Sequence, residues 1–408
     1  MEILYPRCAG LDVHKDSVFA RVRCVSEPRH DEVRSFGTTT SALMELNEWL
    51  SSHDVTHVAM EATGVYWKPV WHLLEDGFEL VLANAQHIRN VPGRKTDVND
   101  ATWIADLLAH GLIRSSFVPP VAIQELRDLT RSSKQLVRET AQHNLRIQKT
   151  LEDANLKLGS VLSDVLGKSG RAILGAIIAG ETDPEKLADL AYGNAKRRRA
   201  ELIEALRGRI RPHHQALLQL HLRLVEALQA AIAEIDDRVG KTLAPIQRCA
   251  RLLTTMPGVS DVTAQVLVAE IGVDMQRFAS AGHLISWAGL CPKNDESAGK
   301  RRSTRLRQGA PWLKTTLVTS AWGAVRQKDS YLQAQFHRLR ARRGAKKAIV
   351  AVAASMLTAA YHMLKSGVEY KDLGADHFTR RDKSKAIQRL VRRLNDMGCE
   401  VQINAQAV

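Results

Sequence analysis

The sequence predicts an α/β domain followed by an all-α region. Short β-type runs alternate with helical stretches up to His110, strands disappear after Val121 where apolar residues recur at helical spacing, and the charge changes sign nearby. Residues 1–115 hold 11 basic and 16 acidic side chains, net −5, so the rest of a chain whose total is +14 carries +19. An acidic part is thus joined to a part suited to a polyanion, and a pI near 9.7 favours nucleic acid or an anionic membrane surface as partner.

In order, residues 8–13 (CAGLDV) and 17–25 (SVFARVRCV) read as consecutive strands, the second with period-two alternation, and residues 31–36 as a third. A helix over 41–50, a buried strand 56–61 (THVAME), a helix 65–74, a strand 78–83 (FELVLA) and a helix from about 97 to 110 follow. A meander that turns into strand–helix alternation indicates a mixed sheet. From 121 to about 158, Ile123, Leu126, Leu129, Leu136, Ile147 and Leu151 fall near helical spacing. Leu217, Leu220, Leu224, Leu228, Ile232, Ile235, Val239, Leu243 and Ile246 do the same, in steps that fit a long antiparallel or oligomeric coiled coil, or equally a helical bundle within one chain. The run KRRR at 196–199 reads as a solvated turn or a backbone-phosphate contact. From about 251 the chain reads as helical, interrupted by a glycine-bearing polar loop at 291–310 and ending in a charged, partly ordered tail at 380–393.

Composition excludes several classes. Hydrophobic residues at 45%, charged at 25% and aromatic at 5% are those of neither a disordered, a collagenous nor a membrane-bundle chain, and 408 residues suffice for two to four domains. The start, MEILYPRCAGLDVHK, lacks the pattern of a signal peptide, and the apolar stretch 348–364 is short of a membrane span and broken by Ser355, Thr358 and His362, so a buried alanine-rich helix and no membrane partner are expected. Cys8, Cys24, Cys249, Cys291 and Cys399 are odd in number, widely spaced and never in C-x-x-C; neither a disulfide framework nor a zinc site is expected, which points to a reducing cytoplasm.

Four carboxylates stand out. Asp12 lies near the end of the first strand and Glu61 ends a later one, so a mixed sheet can bring both to one edge; each alone also fits a strand-end residue facing water. Asp97 and Asp100 stand three apart at the start of a helix, on one face of its first turn, where capping and the macrodipole already favour acids. Capping needs only one acid, however, and four converging carboxylates repel unless hard cations lie among them. Mg²⁺ takes oxygen ligands, and a pair of ions about 4 Å apart can stabilise attacking and leaving oxygens in phosphoryl transfer.

Two further segments suggest a phosphate partner. Residues 252–272 (LLTTMPGVSDVTAQVLVAEIG) read as helix, tight turn and helix, so that Gly258, Val259 and Ser260 can present backbone N–H groups to a phosphate; a plain packing hairpin is the alternative. In GLCPKNDESAGKRRSTRLR, Ser297 is followed by Lys300, Arg301, Arg302, Arg305 and Arg307, and with Lys95 these are the candidate nucleic-acid contacts. From residue 293 to 393 there are 24 basic and 7 acidic side chains. No histidine adjoins Ser297, so its activation as a nucleophile needs metal or distant carboxylates, and from these residues alone an ordinary turn serine is the stronger reading.

GLDVHK around Asp12, MEATGVYW around Glu61, KTDVNDA around Asp97 and Asp100, the MPGV hairpin and WAGLCPKNDESAGK around Ser297 occur in order along nearly the whole chain. Together they resemble the DEDD transposases of the insertion-sequence 110 family, related to Piv-type DNA invertases, and more weakly its 1111 subgroup. The resemblance implies a RuvC-like domain of RNase H fold (1–118), a coiled-coil dimerisation region (119–248), a transposase domain with a helix-hairpin-helix and a serine loop (249–375) and a basic tail (376–408). It implies that Asp12, Glu61, Asp97 and Asp100 bind Mg²⁺, two ions per site, and that Ser297 forms a covalent link to DNA during strand exchange. Acids of one subunit would join the serine of another, in dimers pairing into tetramers in a bacterial, nucleoid-associated setting. A structured RNA encoded by the element would select donor and target double-stranded DNA. Ser303 lies in the same loop, and only the Ala-Gly after Ser297 favours the latter. Two other readings stand beside this one: a RuvC-like nuclease that uses water as nucleophile, and a non-catalytic nucleic-acid-binding protein whose acids only cap helices.

Overall fold

The computed structural model describes residues 2–25, 30–62, 64–84, 88, 100–292, 295–297, 299–303, 305–307, 309–381, 383–398 and 400. They form two compact units, Met1–Val118 and Pro119–Val408. The first is built on a sheet of β1 (Arg7–Val13), β2 (Ser17–Cys24), β3 (His30–Gly37), β4 (His57–Glu61) and β5 (Glu79–Ala83), in the order β3-β2-β1-β4-β5. The first three strands are antiparallel neighbours, while β4 runs parallel to β1 and β5 parallel to β4. Helices α1 (Thr40–Ser52), α2 (Trp67–Leu74) and α3 (Asp100–Ala109) complete the unit. The expected alternation is therefore present, with element ends shifted by at most two residues; residues 97–99 of the expected third helix lie outside the described residues.

The central strand β1 is covered on both faces, which explains its near-continuous apolar sequence. On one face Ala9, Leu11 and Val13 pack with Leu46 and Leu50 of α1 and Leu74 of α2. On the other, Cys8 joins Ala59, Ala83 and the α3 residues Ile104, Leu107 and Leu108. The second contact is unusually close. A Cβ at Gly10 would stand 2.3 Å from the Ala101 carbonyl oxygen and 2.4 Å from the Ala105 nitrogen, so only glycine lets α3 lie directly on the strand. Cys8 donates weakly to the Ala105 carbonyl at 3.7 Å, and burial pushes its thiol up to about 12, so it acts as a small apolar core group. From the next strand, Arg23 pairs with Asp106 of α3.

The second unit is mostly helical. Helices α4 (Val121–Asp153) and α5 (Pro212–Leu243) lie side by side and antiparallel: Ser133 bonds Asp236, His143 meets His221 and Asp153 meets His214. Residues 154–211, which carried no periodic signal, form a lobe of short helices, among them Lys168–Ile178, Pro184–Asp189 and Arg199–Ala205. It closes over a core that includes Leu151 of α4 and Leu218 and Val225 of α5. Arg198 and Arg199 of the basic run bind Glu201 and Asp189 at the surface, as in the solvated reading.

Helices α6 (Gln247–Thr254), α7 (Asp261–Ile271) and α8 (Ala281–Trp287) follow. The stretch expected to be a plain polar loop instead holds an antiparallel hairpin of β6 (Asp295–Ser297) and β7 (Lys300–Ser303). Its residues are charged or hydroxylic and lack apolar alternation, so nothing marked them as strands. After α9 (Pro311–Ala324) and α10 (Tyr331–Arg343) comes α11 (Ala345–Ser366), whose Ala348, Val352, Ala353, Met356 and Ala360 are buried, as expected of an alanine-rich core helix. By length and composition, α11 and the stretch Pro212–Thr254 are both long and apolar enough to cross a membrane; half of the α11 window is buried inside the protein. The tail expected to be partly ordered includes a helix, α12 (Lys383–Asp396), in which Ile387, Leu390, Val391 and Leu394 recur at helical spacing.

A buried ion pair ties α4 to the C-terminal turn of α7. Glu270, 1% exposed, accepts from Arg131 Nε and Nη2 at 2.7 and 2.8 Å, and Arg127 donates to the Ala269 and Glu270 carbonyls at 3.1 and 2.7 Å.

Three outcomes follow from this packing. Gly10→Val forces α3 off β1 and should lower the unfolding free energy by about 1–3 kcal/mol or more in denaturant titration. Glu270→Ala leaves two arginines facing a buried gap and should cost about 3–5 kcal/mol by the same measurement. Burial, His143 and Arg146 hold the His221 imidazole below its ordinary value, so the unfolded chain binds that proton more tightly. The contribution is complete above the ordinary imidazole value of about 6.5 and is lost as pH falls through the depressed folded value. The fall in melting temperature on acidification should therefore be smaller in His221→Leu.

Candidate active site

Register places two of the predicted acids. Leu11 of β1 pairs with Met60 of the parallel β4, so Asp12 and Glu61 are the next residues on adjacent strands, at their C-terminal ends. Paired residues on neighbouring strands point to the same face, and strands lie about 4.8 Å apart. Cys8 and Gly10 precede Asp12 at steps of two, so this is the face covered by α3. Asp100 is the first residue of α3 and immediately precedes Ala101, whose carbonyl lies over Gly10. The same close approach that excludes a side chain at Gly10 therefore sets Asp100 over the face of the sheet that carries Asp12 and Glu61.

Asp12 is mostly enclosed, and its Oδ2 lies 3.1 Å from His14 Nε2. His14 also meets the edge of Phe19, the residue paired with Asp12 across β2. Sequence reading passed over His14, although the step of two along a strand places it on the same face as Asp12. Asp97 and Lys95 lie outside the described residues. Asp12, Glu61 and Asp100 do not all bring ligand atoms within 4.8 Å of one another; among the described residues the set that does so is Asp153, His213 and His214. There His214 Nδ1 accepts from the Arg211 N–H at 3.3 Å and Nε2 faces Asp153 at 3.0 Å, so one ring nitrogen caps the start of α5 and the other joins it to the end of α4.

In the second unit, Gly258 in the turn between α6 and α7 has φ of +76°, and a Cβ there would meet the Ser320 carbonyl at 2.3 Å and the Ala324 nitrogen at 2.5 Å. Val259 is buried and its N–H donates to the Met256 carbonyl, while the Ser260 hydroxyl caps α7 by accepting from the Thr263 N–H at 3.3 Å. The turn thus packs against α9 at Gly258 and presents the first turn of α7 outward. Ser297 ends β6, Gly299 turns the chain with φ of +74°, and Lys300 begins β7; for Ser297, Arg301 and Arg302 the backbone alone is described. The Ser303 hydroxyl accepts from the Arg305 N–H at 3.2 Å, and the side chains of Lys300, Arg305 and Arg307 are exposed.

The sheet order, with an antiparallel meander followed by parallel strands and acids at their C-terminal ends, is RNase H-like. Residues 9–155 match the DEDD-type transposase model of IS110, and residues 250–337 match the model described as transposase, IS116/IS110/IS902 family. The protein y4pF/y4sB of Sinorhizobium fredii, provisionally designated a transposase, is 28% identical over 38% of this chain and 41% of its own length. An uncharacterised 43.6 kDa protein of insertion element IS110 from Streptomyces coelicolor is 32% identical over 29% of this chain and 30% of its own. A 42 kDa protein of insertion element IS900 from Mycobacterium paratuberculosis is 26% identical over 52% and 60%. The matched stretches therefore span less than two thirds of each relative. Two models of one family, matched in order and covering the acids in the first unit and the serine loop in the second, agree with the geometry: the chain belongs to the IS110 family of transposases.

Proposed function

We propose that this protein is a DNA transposase that exchanges strands through a serine–DNA covalent intermediate. The observation that carries the reading is the meeting of Asp12, Glu61 and the Asp100 end of α3 on one face of an RNase H-like sheet, in a chain whose later, basic unit holds the serine loop. Asp12, Glu61, Asp97 and Asp100 offer only oxygen donors, which suits hard divalent cations such as Mg²⁺, and the described three, Asp12, Glu61 and Asp100, do not all close within 4.8 Å of one another, which leaves room for a pair of ions. Bound there, such ions neutralise charge on the phosphate oxygens. His14 orients Asp12 by its hydrogen bond and thereby holds the carboxylate in place.

Ser297 Oγ attacks a DNA phosphorus; one P–O bond forms, the P–O bond to the departing strand breaks, and the hydroxyl proton passes to the leaving oxygen. The broken strand stays joined to protein, and attack by a new hydroxyl restores the serine. Lys95, Lys300, Arg301, Arg302, Arg305 and Arg307 hold backbone phosphates, and the α6–α7 pair serves as a helix-hairpin-helix through the first turn of α7. The α4/α5 pair acts as a coiled coil that assembles dimers and tetramers, so that acids of one subunit meet the serine of another. An element-encoded RNA supplies sequence choice, and the 1111 subgroup is the placement within the family. The functional segments are 1–118, 119–248, 249–375 and 376–408.

Wild-type protein incubated with element-end DNA and Mg²⁺ should yield a protein–DNA adduct that survives denaturation. Ser297→Ala should abolish the adduct while leaving DNA binding within about twofold; an undiminished adduct in this variant transfers the role to Ser303, and cleavage without any adduct supports the water-using nuclease. Asp12→Asn, Glu61→Gln and Asp100→Asn should each reduce strand cleavage by more than about a hundredfold, and His14→Ala by about 10–100-fold, with matching losses of Mn²⁺ affinity by calorimetry.

A further inference from the structure

Four cations line one face of α4. Arg127, Arg131, Lys134 and Arg138 recur at steps of four, three and four, which aligns them along the helix. Arg127 and Arg131 are engaged by the Glu270 carboxylate and its neighbouring carbonyls. Beyond them the face meets the first turn of α9. There the ring of Trp312 has Arg138 Cζ 5.0 Å, Arg131 Cζ 5.9 Å and Lys134 Nζ 6.0 Å from its centroid.

Among the described residues, the four cations of this patch share one buried carboxylate, Glu270. Glu270 is buried and already forked by Arg131; Lys134 donates to a neutral acceptor, the Thr316 hydroxyl, at 2.6 Å; Arg138 is exposed. Burial and Arg138 push the Lys134 ammonium below its ordinary value, and the attraction of Glu270 offsets only part of that. A carboxylate-bearing partner would satisfy the charge and make no use of the indole. A nucleotide uses both, because its phosphate takes the cations and its base stacks on the ring. Duplex bases are stacked on one another, so the ring suits an unpaired one.

Position in the chain indicates which nucleic acid. Trp312 stands on the turn of α9 that directly follows the serine hairpin, and Lys314 of that turn donates to the Arg307 carbonyl at 3.1 Å, tying it to the end of the hairpin loop. We propose that Trp312, with Arg131, Lys134 and Arg138, is a stacking platform for an unpaired DNA nucleotide beside the serine loop, the base on the indole and the phosphate on the cations. The choice of DNA rests on the strand-exchange reading above; the nucleotide chemistry does not.

The test uses full-length Ser297→Ala protein in EDTA, so that no cleavage is required. The probe is a single-stranded oligothymidylate carrying one 2-aminopurine, followed by anisotropy and by quenching of the 2-aminopurine, with a duplex and an oligouridylate carrying one 2-aminopurine as controls. Trp312→Leu should weaken single-strand binding roughly five- to a hundredfold and remove the quenching, Trp312→Phe should retain most of both, and duplex binding should not change. Arg138→Gln should lower affinity and reduce the slope of log affinity against log salt by roughly 0.7. Undiminished binding and quenching in Trp312→Leu would overturn the proposal, as would dependence on Trp312 for the RNA strand alone. If Trp312→Leu does not fold by thermal melting, Arg138→Gln decides, and an unchanged affinity and salt slope counts against the platform. Adduct formation by wild-type protein is read separately, so a failure of the serine chemistry and a failure of the platform give different results.

Discussion

The missing side chain at Gly10 is the constraint on which the acidic face of the first unit depends. Carboxylates brought to one face, here Asp12, Glu61 and Asp100, are a net cost without cations, so something unrelated to their own chemistry must hold them in place. Packing does so: Cys8, Ala59 and Ala83 of the sheet and Ile104, Leu107 and Leu108 of α3 form an apolar layer, and a helix resting on bare backbone is held at a fixed height. The pair between Arg23 and Asp106 then limits how α3 can slide along the strands. In this arrangement the apolar layer opposes the repulsion between the acids, and a bound cation would add to a geometry already set.

The second unit achieves rigidity by other means. Its long helices are tied through a buried carboxylate, with Arg131 satisfying both oxygens of Glu270, and through small residues: Gly258 rests on the backbone of α9 near Ala324, and the alanines of α11 allow close neighbours. A buried pair of this kind contributes little as net stabilisation, since desolvation offsets attraction, but it penalises any other register of α4 on α7. That register also decides which cations of α4 stand beside Trp312.

Much of the first unit was legible because each strand carries its own signal. β1 is a continuous apolar run that ends in an acid, β2 alternates with period two, and the helices between them have an apolar face. Asp12, Glu61 and Asp100 were recognisable as acids at element ends, but their common face follows from the β1–β4 register, which pairs residues some fifty positions apart. The lobe at 154–211 escaped notice because helices of four to eleven residues are too short to show a period, and its core forms only when it closes on Leu151, Leu218 and Val225. The stripe from Arg127 to Arg138 could have been read from its spacing. What it meets could not, because Trp312 lies far along the chain and a charge–ring contact leaves no local pattern.

Two paired strands of three and four residues, which among the described residues make up their whole sheet, are at the lower limit of what hydrogen bonding can keep in shape in water. On the proposed reading that slight ribbon carries the reactive oxygen, whereas the acids stand on a five-stranded, doubly covered sheet. Such an uneven division has a protective side. On that reading a lone copy would offer a nucleophile on a weak support, and the reactive arrangement would become firm only when nucleic acid or another copy buttresses the ribbon, which would confine breakage to the complete complex.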